Sequence, residues 1–141
     1  MTESTGPGNG STVWDVLIVD DEEVVREGVR RILEAQGLRV AVAPDAASTL
    51  SHPALHRCRL VLCDLILPDR PGTDLIRLLR RVRPDLPVIM ITGYATTDHE
   101  EQARQAGAAG FLTKPFEESE LLEAVRRVLE GHGAASGERR S

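Results

Sequence analysis

The sequence predicts an α/β domain: a five-stranded parallel sheet, doubly wound, with five helices on its faces. Strand-like and helix-like segments alternate five times along the chain. The inner strand segments are unbroken runs of Val, Ile and Leu rather than in–out alternations, which signals burial on both faces. Glycines and prolines fall at the boundaries.

The elements follow in order. Trp14 to Val19 is a short apolar run. Glu22 to Gln36 places Val25, Val29, Ile32 and Leu33 on one helical face, and Gly37 stops it. Leu38 to Ala43 alternates like an outer strand. Pro44 and Asp45 open a short helix, Ala46 to Leu50, and Ser51 to Arg57 is irregular around Pro53. Arg59 to Cys63 is the third strand. After a Pro/Gly loop, Thr73 and Asp74 are the expected caps of a helix with Leu75, Leu78, Leu79 and Val82 inward. Val88 to Ile91 is the fourth strand, ending on Thr92. Thr97 to Ala106 is a polar helix closed by Gly107, and Ala109 to Leu112 a fifth strand. Glu117 to Glu130 is the last helix, with Leu121, Leu122, Val125, Val128 and Leu129 inward and Gly131 as its stop.

The chain has 141 residues, enough for one core, and is 41% hydrophobic. Residues 1–12 are expected to be a disordered arm, 13–131 the folded domain and 132–141 a disordered polar tail. A net charge of −5 argues against sequence-independent nucleic-acid binding. No apolar run reaches membrane-spanning length, and the N-terminus lacks the apolar core of a secretory signal. Cys58 and Cys63 are expected as packing thiols on opposite faces, in a reducing cytoplasm. His52 and His56 have no third ligand nearby. Arg77, Arg80, Arg81 and Arg83 are expected to form a solvated face.

Chemistry collects at one edge. In open parallel sheets, ligands bind at the carboxyl ends of the strands. Strand one ends on Asp20-Asp21, with Glu22 and Glu23 following; strand three ends on Asp64, strand four on Thr92, and strand five runs into Lys114. Taken singly, each has an ordinary explanation: a helix cap, a loop carboxylate, a strand-end hydroxyl, a solvated lysine. Together they make a set. Clustered carboxylates repel unless a cation intervenes, and hard oxygen ligands suit Mg²⁺ first. A carboxylate attacking phosphorus gives an acyl phosphate.

These residues carry a family resemblance. Val19-Asp20-Asp21, Asp64 to Pro68 with Gly72, Ile91-Thr92-Gly93 and Phe111 to Phe116 stand in order and at family-like spacing. Over about residues 13–131 the chain resembles a response-regulator receiver domain of two-component signalling. The resemblance implies a flavodoxin-like sheet of order 2-1-3-4-5. It implies that Asp64 is the phospho-acceptor. Asp21 and the backbone carbonyl of Ile66 would be direct Mg²⁺ ligands beside Asp64, with Asp20 acting through water. Thr92 and Lys114 would each meet a phosphoryl oxygen, Phe111 would be the switch aromatic, and the Lys114–Pro115 bond would be cis.

The implied partners are a sensor histidine kinase or histidine phosphotransfer protein and a downstream protein target. Direct binding to nucleic acid and insertion into a membrane are not expected. The readout surface would be helix four, strand five and helix five, in a monomer or a phosphorylation-dependent dimer. Ile66 and Tyr94, two residues past Asp64 and Thr92, border the path of attacking water. Both are bulky and neither orients water, so self-dephosphorylation is expected to be slow. Two rival readings are an interaction module that never takes phosphate and a dehalogenase-like phosphotransferase. The latter usually has an acid where Ile66 stands, and a cap domain.

Overall fold

The computed structural model describes residues 13–93 and 96–134; the expected arm at 1–12, Tyr94, and positions 135–141 of the expected tail lie outside the described residues. The strands are β1 Val16–Val19, β2 Val40–Ala43, β3 Leu60–Asp64, β4 Val88–Thr92 and β5 Gly110–Thr113. The helices are α1 Glu23–Glu34, α2 Ala46–Leu50, α3 Gly72–Val82, α4 Thr97–Ala106 and α5 Glu118–Ala134. A 3₁₀ turn, Pro53–His56, occupies the segment expected to be irregular. The sheet order is β2-β1-β3-β4-β5, and every pairing is parallel.

Alternation along each strand divides the core in two. Val16, Ile18, Leu60, Leu62 and Ile89 face one side and meet Val29 and Leu33 of α1 and Leu121, Val125 and Leu129 of α5. Leu17, Val19, Val61, Cys63 and Met90 face the other and meet Leu75, Ile76 and Leu79 of α3 and Ala103 and Ala106 of α4. The central strands β1, β3 and β4 are buried at every position, as their unbroken apolar runs require. Each fully buried Leu or Ile contributes about 1.5–3 kcal/mol, so packing rather than helix propensity holds the layers together.

Several local details differ from the sequence expectation. Thr73 and Asp74 do not cap α3; Gly72 opens the helix, Pro71 holds the cap position without a side-chain bond, and Thr73 is buried in the first turn. Ile76 takes the inward place assigned to Val82, which is 46% exposed. Helix α5 runs through Gly131 to Ala134, three residues into the expected tail. Cys58 and Cys63 pack in the same cluster, because Cys58 precedes β3 and does not share its alternation. Both are buried free thiols, and burial pushes both thiol pKa values up.

Arg83 is half-buried rather than solvated. Its Nη1 donates to the carbonyls of Leu55 (3.1 Å) and Cys58 (2.6 Å), tying the end of α3 to the segment that leads into β3. Among the described residues no helix is long and apolar enough to cross a membrane.

Candidate functional site

The carboxyl edge of the sheet places the predicted side chains together. β3 ends on Asp64, and the next amide, that of Leu65, donates to Ile91 O at 2.8 Å. β1 stops at Val19, yet the amide of Asp20 still donates to Ala43 O at 3.1 Å, so Asp20 remains at the sheet edge. Arg26 Nη1 on α1 donates to the backbone carbonyl of Asp20 at 2.7 Å, holding that turn from above. Beyond β5, the amide of Lys114 donates to Thr92 O at 2.7 Å, and the Lys114–Pro115 bond is cis.

The side chains converge on the Lys114 ammonium. Its Nζ lies 2.9 Å from Asp20 Oδ2, 2.9 Å from Glu22 Oε1 and 3.0 Å from Asp64 Oδ2. Asp20 is fully buried and Asp64 nearly so, while Asp21 is exposed. Asp20, Asp21 and Asp64 each offer a carboxylate oxygen, and these atoms lie within 4.8 Å of one another. Asp21, Glu22, Asp64, Ile66, Leu67, Pro68, Gly93 and Lys114 line a cleft of about 590 Å³ over these groups.

The two buried carboxylates, Asp20 and Asp64, are each oriented by a backbone amide. Asp20 Oδ1 accepts from the amide of Glu22 at 2.9 Å, and Asp64 Oδ1 accepts from the amide of Ile66 at 3.0 Å. Burial pushes the Asp20 carboxyl pKa up, with the Glu22 amide and the Lys114 ammonium pulling it partly back. For Lys114, burial alone would push the pKa down. Contacts with Glu22, Asp20 and Asp64 outweigh it and hold the ammonium above its ordinary range.

One atom tests whether this set suits a metal ion. Asp20 Oδ2 is buried and has the Lys114 ammonium as an ionic neighbour, but no hydrogen bond of good geometry reaches it. A buried anionic oxygen without a hydrogen bond is costly. A small hard dication bound by oxygen donors would satisfy it. The residues present therefore fit such an ion.

The loop after β3 is held at both ends. The amide of Gly72 donates to Leu65 O at 2.6 Å, and Ile66 and Pro71 form an isolated antiparallel bridge. Asp69, at the tip, accepts from the amides of Ala46 (3.1 Å) and Ala47 (3.0 Å) in the first turn of α2. These bonds hold its carboxyl pKa below the usual range. Asp45 caps the same helix through the amide of Ser48.

Other predicted residues sit further out. Thr92 is fully buried at the end of β4, one residue past Ile91, the register partner of Asp64. Ile66 is 51% exposed on the rim of the cleft. Phe111 is half-buried in β5, packed against the α3/α4 side of the core and bordering a smaller hollow with Glu100, Ala103 and Arg104. The sequence reading missed Glu22 as a partner of Lys114 and Asp69 as an anchor. The acidic run from Asp20 to Glu23 was a signal for the first; nothing local marks the second.

Comparison with known proteins gives a consistent picture. The chain is 38% identical over 115 residues to the C4-dicarboxylate transport transcriptional regulatory protein DctD of Pseudomonas aeruginosa, covering 82% of this chain and 25% of that one. It is 35% identical over 127 residues to the transcriptional regulatory protein FixJ of Rhizobium meliloti, covering 90% and 62%. The chain thus spans less than two thirds of these curated relatives. Among solved structures, a CheY-like response regulator receiver domain protein from Methanospirillum hungatei superposes with a TM-score of 0.79 at 31% identity, covering 86% of this chain and 98% of that one. The receiver domain of NtrX from Brucella abortus superposes with a TM-score of 0.77 at 35% identity, covering 82% and 98%. The family model for the response regulator receiver domain matches residues 16–126, a span that takes in all five strands and every group gathered at the carboxyl edge; the chain belongs to the response regulator receiver domain family of two-component signalling.

Proposed function

We propose that this receiver takes a phosphoryl group onto Asp64, with Mg²⁺ held by Asp20, Asp21, Asp64 and the backbone carbonyl of Ile66. The observation that carries the reading is the position of the Lys114 ammonium, 3.0 Å from Asp64 Oδ2 within a triad of carboxylates at the sheet edge. Bound Mg²⁺ would supply charge neutralisation for an incoming phosphoryl group. The rest falls to the chain. The Ile66 amide fixes the Asp64 carboxylate through Oδ1. Lys114 offers a cation to a phosphoryl oxygen, and Thr92 a hydroxyl.

The donor is a phosphohistidine on a sensor histidine kinase or phosphotransfer protein. The N–P bond breaks, an O–P bond to Asp64 forms, and the imidazole leaves and takes up a proton. Hydrolysis by water returns the carboxylate and inorganic phosphate. Between these steps the added charge biases Thr92, Lys114 and Phe111 toward a second arrangement, read by a downstream protein on α4, β5 and α5. The bulk of Ile66 at the rim supports a slow reset, with a phosphoryl half-life of minutes or longer.

Incubation with acetyl phosphate or phosphoramidate and Mg²⁺, followed by intact-mass measurement, tests the reading. The expected result is one phosphate adduct, absent from Asp64→Asn. An adduct that survives that substitution, or none with either donor, overturns it.

A further inference from the structure

Lys114 has more acidic partners than the proposed reaction needs. An ammonium has three N–H donors. Here three carboxylates stand within 3.0 Å of it: Asp20, Glu22 and Asp64. Glu22 and Asp64 accept hydrogen bonds from it and Asp20 is an ionic neighbour, so a phosphoryl oxygen seeking Lys114 competes with carboxylates already gathered there. Asp20 and Asp64 are buried and each is fixed by a backbone amide. Glu22 differs. Its side chain is 59% exposed, and among the described residues its hydrogen bond goes to Lys114 alone. It borders the cleft over the carboxylates. It is therefore the partner that can be released without unpicking the sheet edge.

We infer that Glu22 is an anionic placeholder, occupying a Lys114 donor for which a phosphoryl oxygen competes and so limiting how readily the site takes up and holds that group. Glu22 acts through Lys114 and is a positioning residue. The inference rests on the reading of Asp64 as acceptor. The alternative is an exposed ion pair of no consequence, the usual fate of such pairs. What separates this pair is its cation: the Lys114 side chain is only 15% exposed and is shared with the acceptor.

The test is uptake of beryllofluoride, a tetrahedral phosphoryl mimic, at saturating Mg²⁺, followed by ¹⁹F NMR titration. The chains compared are the unsubstituted protein, Glu22→Gln, Glu22→Asp and Glu23→Gln. Glu22→Gln removes the charge; Glu22→Asp keeps it but withdraws it by one methylene. Both are expected to bind about 3–10-fold more tightly, the scale of one weak ion pair, and Glu23→Gln to stay within about twofold. In a Lys114→Met background the gain from Glu22→Gln is expected to vanish. An unchanged affinity in both Glu22 variants overturns the inference. So does a gain confined to Glu22→Gln, which would be a charge effect without the contact, or a gain that persists without Lys114. Failure of the unsubstituted protein to bind beryllofluoride at all would instead remove the acceptor reading beneath it.

Discussion

A β-carbon added to Gly72 would lie 2.3 Å from the carbonyl oxygen of Asp64. It would also meet Met90 Cε at 2.8 Å and Leu65 Cα at 3.0 Å. Two of these three obstacles are backbone at Asp64 and Leu65, where there is no flexible side chain to turn aside. Gly72→Ala is expected to lower stability by about 2–4 kcal/mol, at the upper end of overpacking costs. Urea melts would read this as a lower midpoint with an unchanged slope. A midpoint equal to that of the unsubstituted protein would show that the loop yields freely.

The burial of Asp20 carries a stability cost. Its carboxyl is buried and its pKa is raised, chiefly by that burial. A raised folded-state pKa means that the unfolded chain releases its proton first as pH rises. Stability attributable to Asp20 is thus full below the ordinary aspartate value of about 3.9 and declines as pH climbs through the raised one. At neutral pH, with EDTA present, Asp20→Asn, which has no buried charge to desolvate, is expected to be the more stable protein. Mg²⁺ affinity is expected to fall at least about tenfold. Thermal melts in EDTA and calorimetric Mg²⁺ titration check the two halves.

Asp69 has the opposite sign. Its carboxyl pKa is lowered by the amides of Ala46 and Ala47. Its contribution is therefore present above the unfolded value and is lost as pH falls through the folded one. The difference in melting temperature between the protein and Asp69→Asn should be constant above about pH 5 and shrink as pH falls below the ordinary aspartate value of about 3.9. A difference that stays constant down to the lowest pH would mean that the uncharged side chain anchors α2 equally well.

Arg83 is expected to matter for folding and not for chemistry. Arg83→Met keeps most of the side chain's apolar length but leaves the buried carbonyls of Leu55 and Cys58 without this donor. A loss of about 1–3 kcal/mol follows from two such bonds. Phosphate uptake from acetyl phosphate, measured below the unfolding transition, should stay within about twofold. A larger fall in uptake would tie this distant corner to the carboxylates at the sheet edge.

The gathering of polar groups at the carboxyl edge was legible because they announce themselves locally: Asp20, Asp64, Thr92 and Lys114 each end or follow an apolar run. The parallel sheet was legible from the same runs. Asp69 was not, because its role depends on α2 standing beside a loop 22 residues away in sequence. Arg83 looked like one more charge on a basic helix, and only the tertiary path of residues 55–58 gives it acceptors. Thr73 and Asp74 carry the chemistry of caps, but α3 starts at Gly72 with Pro71 at the cap position, two residues ahead of Thr73, so they fall inside the first turn.

The segment from Leu65 to Gly72 is tied to β4, to itself and to α2. On the proposed reading this makes Asp64 a stationary target, to which a donor would carry its phosphorus. Partners would then be sorted by how their surface fits this edge, and lengthening the tied loop by one residue would alter that fit for every donor at once.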